Sequence, residues 1–143
     1  MNVRELIKKH EGLRLAPYQC TAGRWTIGWG HNLDSHGETI PESISLQQAE
    51  AYFEEDLAAA IAAAGRIYPE YGALSEARQA VLIDMAFNLG EGGLAKFHNM
   101  LKWIRLGYWK QASLEMVDSL WAKQVGHRAT RLAAMMETGG WVL

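Results

Sequence analysis

The sequence is poor in the features that would set a chain apart from ordinary globular proteins. It holds one cysteine, three prolines and three phenylalanines in 143 residues. The lone Cys20 cannot close an internal disulfide, so the core must hold the fold in any redox compartment. So little proline, beside 49% hydrophobic and 21% charged residues, excludes collagen-like and disordered compositions. A chain of this length buries roughly two-thirds of the surface it exposes when unfolded, which suits a single domain. There is no long apolar run. The least polar stretch, Leu57 to Gly65, is alanine-rich and about half of what a membrane span requires. The opening residues, Met1 to His10, are charged throughout and lack the apolar centre of a signal peptide. The expectation is a soluble protein made in the cytoplasm, without stable membrane insertion.

A net charge of −2 conceals an asymmetry. From Glu42 to Glu76 seven acids face Arg66 alone, and from Lys96 to Arg131 seven bases face only Glu115 and Asp118. A basic C-terminal half suits an anionic polymer such as a cell wall or a nucleic acid. The plainer alternative is a solvated helix surface.

Periodicity gives the organisation. Val3, Leu6, Ile7 and His10 carry helical spacing, and Gly12 stops that helix just after Glu11. From Leu13 to about Leu33 the texture becomes aromatic and β-branched, broken by glycines, as in short strands. Thr21-Ala22-Gly23-Arg24 is the best turn, joining a strand that ends near Cys20 to one carrying Trp25-Thr26-Ile27 and folding Thr26 toward Cys20. Asp34 to Ile44 reads as a loop. Ser45 with Gln48 forms a capping box, and Leu46, Ala49, Phe53, Leu57, Ala60, Ile61 and Ala64 then predict a long helix ending at Gly65. Val81, Leu82, Met85, Ala86 and Leu89 predict a buried-stripe helix stopping at Gly90. Further helices are expected near Leu94 to Leu106, Trp109 to Leu120 and His127 to Glu137. One helix, a small antiparallel sheet, a long helix and a helical bundle make an α+β fold. The expected layout is a β-rich lobe at 12–44, a connecting helix at 45–65 and a helical lobe at 66–143, with helix 1–11 packing near that lobe.

Taken alone, Glu11 is a helix-end carboxylate and reads as a solvated charge. It gains meaning beside Cys20, with eight residues between them, and Thr26, with five between it and Cys20, followed by Ile27-Gly28-Trp29-Gly30-His31. With Gly12-Leu13-Arg14-Leu15-Ala16-Pro17-Tyr18, this pattern closely resembles the phage-type lysozymes, the endolysins and muramidases. Phe53, Asp56, Phe87, Gly90-Glu91, Phe97, Asn99, Trp121, Gln124, Arg128 and Arg131 stand in register with that family's long helix and helical lobe. Essentially the whole chain is covered.

The resemblance implies a lysozyme-like fold and hydrolysis of the β-1,4 bond between N-acetylmuramic acid and N-acetylglucosamine in bacterial peptidoglycan. Such chemistry needs an acid on one face of the sugar and an activated water on the other. Glu11 matches the acid, Arg128 an arginine facing it, and Thr26 a residue whose hydroxyl holds the attacking water. Cys20 stands where the best-known members carry aspartate. A thiol is a weaker fixed charge but, once ionised, a better base and nucleophile. Cys20 is read as general base or electrostatic partner with net inversion; covalent attack ranks second, and a small buried structural cysteine third. His31 matches a histidine that pairs with an acid on the long helix, here Asp56, in a structural role. Gly30, Phe87 and Gln124 match positions lining a saccharide cleft between the lobes. His10 replaces a family acid expected to pair with Arg131.

No Cys/His spacing makes a metal site, and no cofactor is expected. His10, His36, His98 and His127 are expected to face solvent, and at least four of the six tryptophans to be core or half-buried. The expected partner is the glycan strand of peptidoglycan, met by a monomer with no nucleic acid involved, after a separate holin permeabilises the membrane and lets the enzyme lyse the host. Two other functions fit the residues. A lytic transglycosylase would use Glu11 alone, and a catalytically silent wall-binding protein would keep only the cleft.

Overall fold

The computed structural model describes every residue except Thr21, Ser35, His36, Glu38 and Leu143. In chain order the elements are α1 (Val3–Glu11), β1 (Arg14–Gln19), β2 (Trp25–Gly28), β3 (His31–Asn32), α2 (Leu46–Ile67), α3 (Glu76–Ala95), α4 (His98–Leu106), α5 (Trp109–Val117), α6 (Leu120–Val125) and α7 (His127–Thr138). A short 3-10 turn at Tyr71–Ala73 lies between α2 and α3. This is the α+β architecture of a small three-stranded antiparallel sheet among helices, ordered β1-β2-β3. The chain forms two compact units, Arg4–Ala59 and a second made of Met1–Val3 with Ala60–Leu143.

In the unit Arg4–Ala59, α1 buries Leu6 and Ile7, the sheet region buries Ile27, Trp29 and Leu33, and α2 buries Ala49, Phe53 and Leu57. Burying each large side chain of this kind contributes about 1.5–3 kcal/mol. The Trp29 ring meets Phe53 edge-on, with centroids 5.7 Å apart. Lys8 lays its ammonium 4.2 Å over the Trp29 ring while binding both carboxylate oxygens of Glu50, at 2.8 and 3.0 Å. The β1–β2 register is Tyr18↔Thr26 and Gln19↔Trp25, with an irregularity between Arg14 and Tyr18. Pro17 lies in that irregularity, on an edge strand, where a missing N–H disrupts least. The Ile44 N–H donates to the Leu15 carbonyl at 2.8 Å, returning the loop after β3 to β1. The Gln48 N–H donates to Ser45 Oγ at 3.1 Å, the backbone half of the expected capping box.

In the other unit, α5 packs against α7 and α4, and α3 is buried on every side from Ala80 to Ala86. A stripe was the expectation; burial all round marks α3 as the helix the others surround. It includes Asp84, an acid with no exposed surface. Ser75 caps α3 by accepting from the Arg78 N–H and donates its own hydroxyl to the Gly139 carbonyl. Arg78 donates in turn to the Met136 and Glu137 carbonyls near the end of α7 and stacks 3.7 Å over Trp109.

Four boundaries differ from the sequence expectation. The long helix runs through Gly65 to Ile67, because glycine in a helix costs about 1 kcal/mol without forbidding helical torsions. The break at Gly90 is present, with φ 76° and ψ 170°, a conformation that glycine adopts without a Cβ penalty. Helix resumes beyond it to Ala95, so α4 begins at His98 rather than Leu94. The helix expected over Trp109 to Leu120 is two helices: Ser119 caps a separate α6 by accepting from the Ala122 N–H. Leu46, placed on the buried stripe, is 54% exposed because it opens the helix.

Candidate functional site

Six of the residues singled out from the sequence, Glu11, Cys20, Thr26, Gly30, His31 and Asp56, lie in the unit Arg4–Ala59. Glu11 is the last residue of α1, half-buried, and the helix closes on it with the Gly12 N–H donating to the Lys8 carbonyl at 2.9 Å. Lys8, one turn earlier, is the residue clamped by Glu50 and Trp29, so the end of α1 that carries Glu11 is held by side chains from the sheet region and α2.

Gly30 is shaped around Glu11. Its φ is +74°, and a Cβ added there would stand 2.7 Å from Glu11 Oε1 and 3.0 Å from its carboxyl carbon. Only glycine supplies both the backbone conformation and the space. The next residue, His31, is buried, stacks on Tyr52 at 3.9 Å with rings 3° from parallel, and holds Nδ1 2.8 Å from Asp56 Oδ2.

The β1–β2 hairpin positions the other two groups. The Cys20 N–H donates to the Arg24 carbonyl at 2.9 Å, and the Gly23 N–H to the Cys20 carbonyl at 2.8 Å. The turn proposed from Thr21 to Arg24 is closed by these two bonds; Thr21 itself lies outside the described residues. Because Tyr18 pairs directly with Thr26, and Cys20 follows Tyr18 by two, all three project from one face of the hairpin. Thr26 is buried, and its hydroxyl donates to the Arg24 carbonyl at 3.0 Å. Burial pushes the half-buried Cys20 thiol up. Hydrogen bonds from the backbone of Arg24 and Ala22, from Thr26 and from its own backbone pull harder, leaving it below its ordinary value. Tyr18 is raised, by burial first and then by the negative charges of Glu11 and Cys20, with Arg14 opposing. The phenol therefore senses both groups, a proximity the motif alone did not reveal.

The remaining three, Phe87, Gln124 and Arg128, belong to the other unit. Phe87 is half-buried on α3 and Gln124 exposed on α6. Arg128, near the start of α7, is 9% exposed and donates from Nε to Asp84 Oδ1 at 2.9 Å. Asp84 was missed in the sequence, although an acid inside Val81-Leu82-Ile83-Asp84-Met85-Ala86 signals a buried partner. None of the six tryptophans is exposed: Trp29 and Trp121 are buried and the others half-buried, as expected of packing residues. His98 and His127 face solvent, His10 is half-buried rather than exposed, and His36 lies outside the described residues. Among the described residues no group of three or more His, Cys, Asp or Glu could hold a metal ion, and no helix is long and apolar enough to cross a membrane.

A carboxyl, a thiol held low and a buried hydroxyl, mounted on a helix end and a hairpin, are groups able to give or take protons. Residues 8–136 match the phage lysozyme family. The chain belongs to that family. It is accordingly a glycoside hydrolase of the lysozyme type. Among its relatives is the probable T4-type lysozyme 2 of Dictyostelium discoideum, 30% identical over 96% of this chain and 95% of that protein. An endolysin of Acyrthosiphon pisum secondary endosymbiont phage 1 is 36% identical over 86% of this chain and 80% of its own length. The pre-baseplate central spike protein Gp5 of Enterobacteria phage T4 is 35% identical over 97% of this chain, which spans only 28% of that longer protein.

Proposed function

We propose that this lysozyme hydrolyses the β-1,4 bond between N-acetylmuramic acid and N-acetylglucosamine in bacterial peptidoglycan, with Glu11 as general acid. Glu11 gives its proton to the glycosidic oxygen as the bond from that oxygen to the anomeric carbon breaks. A water positioned by the Thr26 hydroxyl attacks the anomeric carbon from the opposite face. The Cys20 thiolate takes the proton that water loses, so the configuration inverts and both groups reset by exchange with solvent. The observation that carries this reading is the hairpin face on which Tyr18, Cys20 and Thr26 stand together, with the Cys20 thiol held low and the charge of Glu11 felt at Tyr18. Phe87 and Gln124 supply an aromatic edge and an amide for sugar rings, and His31 with Asp56 fixes the segment that carries Gly30. The enzyme acts as a monomer and lyses the host cell from within once a holin has opened the membrane.

The test is digestion of purified peptidoglycan by wild type, Glu11→Gln, Cys20→Ser and Cys20→Asp. Glu11→Gln is expected to lose about a hundred- to ten-thousandfold in rate. Cys20→Asp should retain activity and Cys20→Ser lose most of it. Mass spectrometry of the products should show hydrated reducing ends. Anhydromuramic ends would replace hydrolysis by transglycosylation, and retained anomeric configuration would replace inversion by covalent attack.

A further inference from the structure

From Gly92 to Leu114 the sequence contains no acid, while Lys96, Lys102, Arg105 and Lys110 carry positive charge. All four side chains are exposed. Lys102 and Arg105 on α4 and Lys110 on α5 flank in sequence the apolar corner where α4 turns into α5; Lys102 lies over Trp103, and Arg105 reaches 5.9 Å over Tyr68. Leu106 is 56% and Tyr108 52% exposed, and the half-buried Trp103 lies 5.8 Å from Tyr108. Helix α4 buries Met100, Leu101 and Ile104 and turns Lys102, Arg105 and Leu106 outward. An exposed leucine between Trp103 and Tyr108 in sequence, in a stretch whose charged residues are all basic, gains nothing from water, and the site already described does not use it.

We propose that this corner of α4 and α5 is a peripheral docking surface for an anionic phospholipid bilayer. The cations complement the headgroup charge, Trp103 and Tyr108 suit the interfacial layer, and Leu106 enters the boundary with the acyl chains. Nucleic acid and polysaccharide fit less well. Both are gripped by open aromatic faces, and here the Lys102 ammonium sits 4.9 Å over the Trp103 ring. Branched Leu106 offers no flat face to a sugar or base. Lys110 lies 3.9 Å from Glu137 with both side chains largely exposed, a pairing too weak to cancel its charge, and Arg105 shares the surroundings of Tyr68 with Glu70. The surface is for adsorption, which needs no membrane-spanning helix, and it does not rest on the catalytic proposal.

The experiment is co-sedimentation of the whole chain with vesicles of equal parts phosphatidylglycerol and phosphatidylcholine, against phosphatidylcholine alone. Wild type should pellet with the anionic vesicles, not with the neutral ones, and release as salt is raised. Each cation near the surface is worth about fivefold in partitioning, so Lys102→Gln/Arg105→Gln should lose about twenty-fivefold. Lys9→Gln/Lys123→Gln, which changes net charge equally, should bind nearly as wild type. Leu106→Ser should weaken binding with the charges intact. No adsorption by wild type, equal adsorption to neutral vesicles, or the same loss from both charge pairs would overturn the proposal. Retention on DNA or purified peptidoglycan without vesicle binding would overturn it too, as would self-association abolished by Leu106→Ser. Hydrolysis of soluble glycan by all variants should match wild type, which separates loss of docking from loss of fold or chemistry.

Discussion

Replacing Gly30 by alanine tests whether Glu11 is held by shape. Alanine at φ +74° pays the left-handed penalty of about 1–2 kcal/mol. Its methyl group would also stand 2.7 Å from Glu11 Oε1, closer than any real contact allows. The carboxylate is the free end of a flexible side chain, so it yields by rotating away, and the clash adds little to the stability loss. The expected fall in melting temperature is about 3–6 °C for a domain of this size. Activity should fall much further, since displacing a reacting group by about 1 Å can cost about a hundredfold. Gly107 is the control: its φ is also +74°, and a Cβ there meets nothing within 4 Å. Gly107→Ala should therefore destabilise about as much and hydrolyse normally. The assays are thermal melts by circular dichroism and the initial rate of wall clearing, measured well below both melting temperatures. If Gly30→Ala and Gly107→Ala lose stability and activity in the same proportion, strain alone explains Gly30 and the fitting of Glu11 to it is wrong.

Arg128→Met leaves Asp84 buried without its cation and should cost about 3–5 kcal/mol in urea unfolding; adding Asp84→Leu should recover much of that loss, and failure to recover would show that the pair is not the source. Arg78→Ala removes donors to two α7 carbonyls and the stack on Trp109, with an expected loss of about 1–3 kcal/mol in the same assay; a change below about 0.5 would refute the clasp. The Cys20 thiol's pKa is depressed, so its ionisation stabilises the folded state fully above the unfolded value, and that contribution is lost as pH falls through the folded value. Ultraviolet absorbance of the thiolate should accordingly titrate with a lower midpoint in the folded protein than in the urea-unfolded chain, and an equal or higher midpoint would remove the hairpin's influence.

The parts of the fold written in neighbouring residues were legible. Helical spacing fixed α1 up to Glu11, Ser45 with Gln48 marked the start of α2, and the turn after Cys20 gave the hairpin that sets Thr26 beside it. What stayed hidden depends on residues distant in sequence. Gly30 reads as a saccharide-cleft position in the family pattern, and only the folded backbone shows the Glu11 carboxylate in the space a Cβ would fill. Asp84 interrupts an apolar stripe with no local sign that its partner is 44 residues further on. Ser119 capping α6 was a local signal, overlooked because Leu114, Val117 and Leu120 continue at helical intervals across it.

Thr26 has one hydroxyl proton, and Arg24's carbonyl receives it at 3.0 Å. In that state Thr26 meets a water, or the Cys20 thiol, only as an acceptor. Once Cys20 is ionised, the Thr26 hydroxyl can stabilise the thiolate by donating to it, but only by turning away from Arg24, which still accepts the Cys20 N–H at 2.9 Å. One proton cannot serve both oxygen and sulfur. On the proposed mechanism, ionising the base and orienting the water are therefore the same rotation of one hydroxyl. Thr26→Val, which keeps the shape and removes the proton, should then raise the thiol's titration midpoint and lower kcat together. A loss of kcat with the midpoint unmoved would confine Thr26 to holding water.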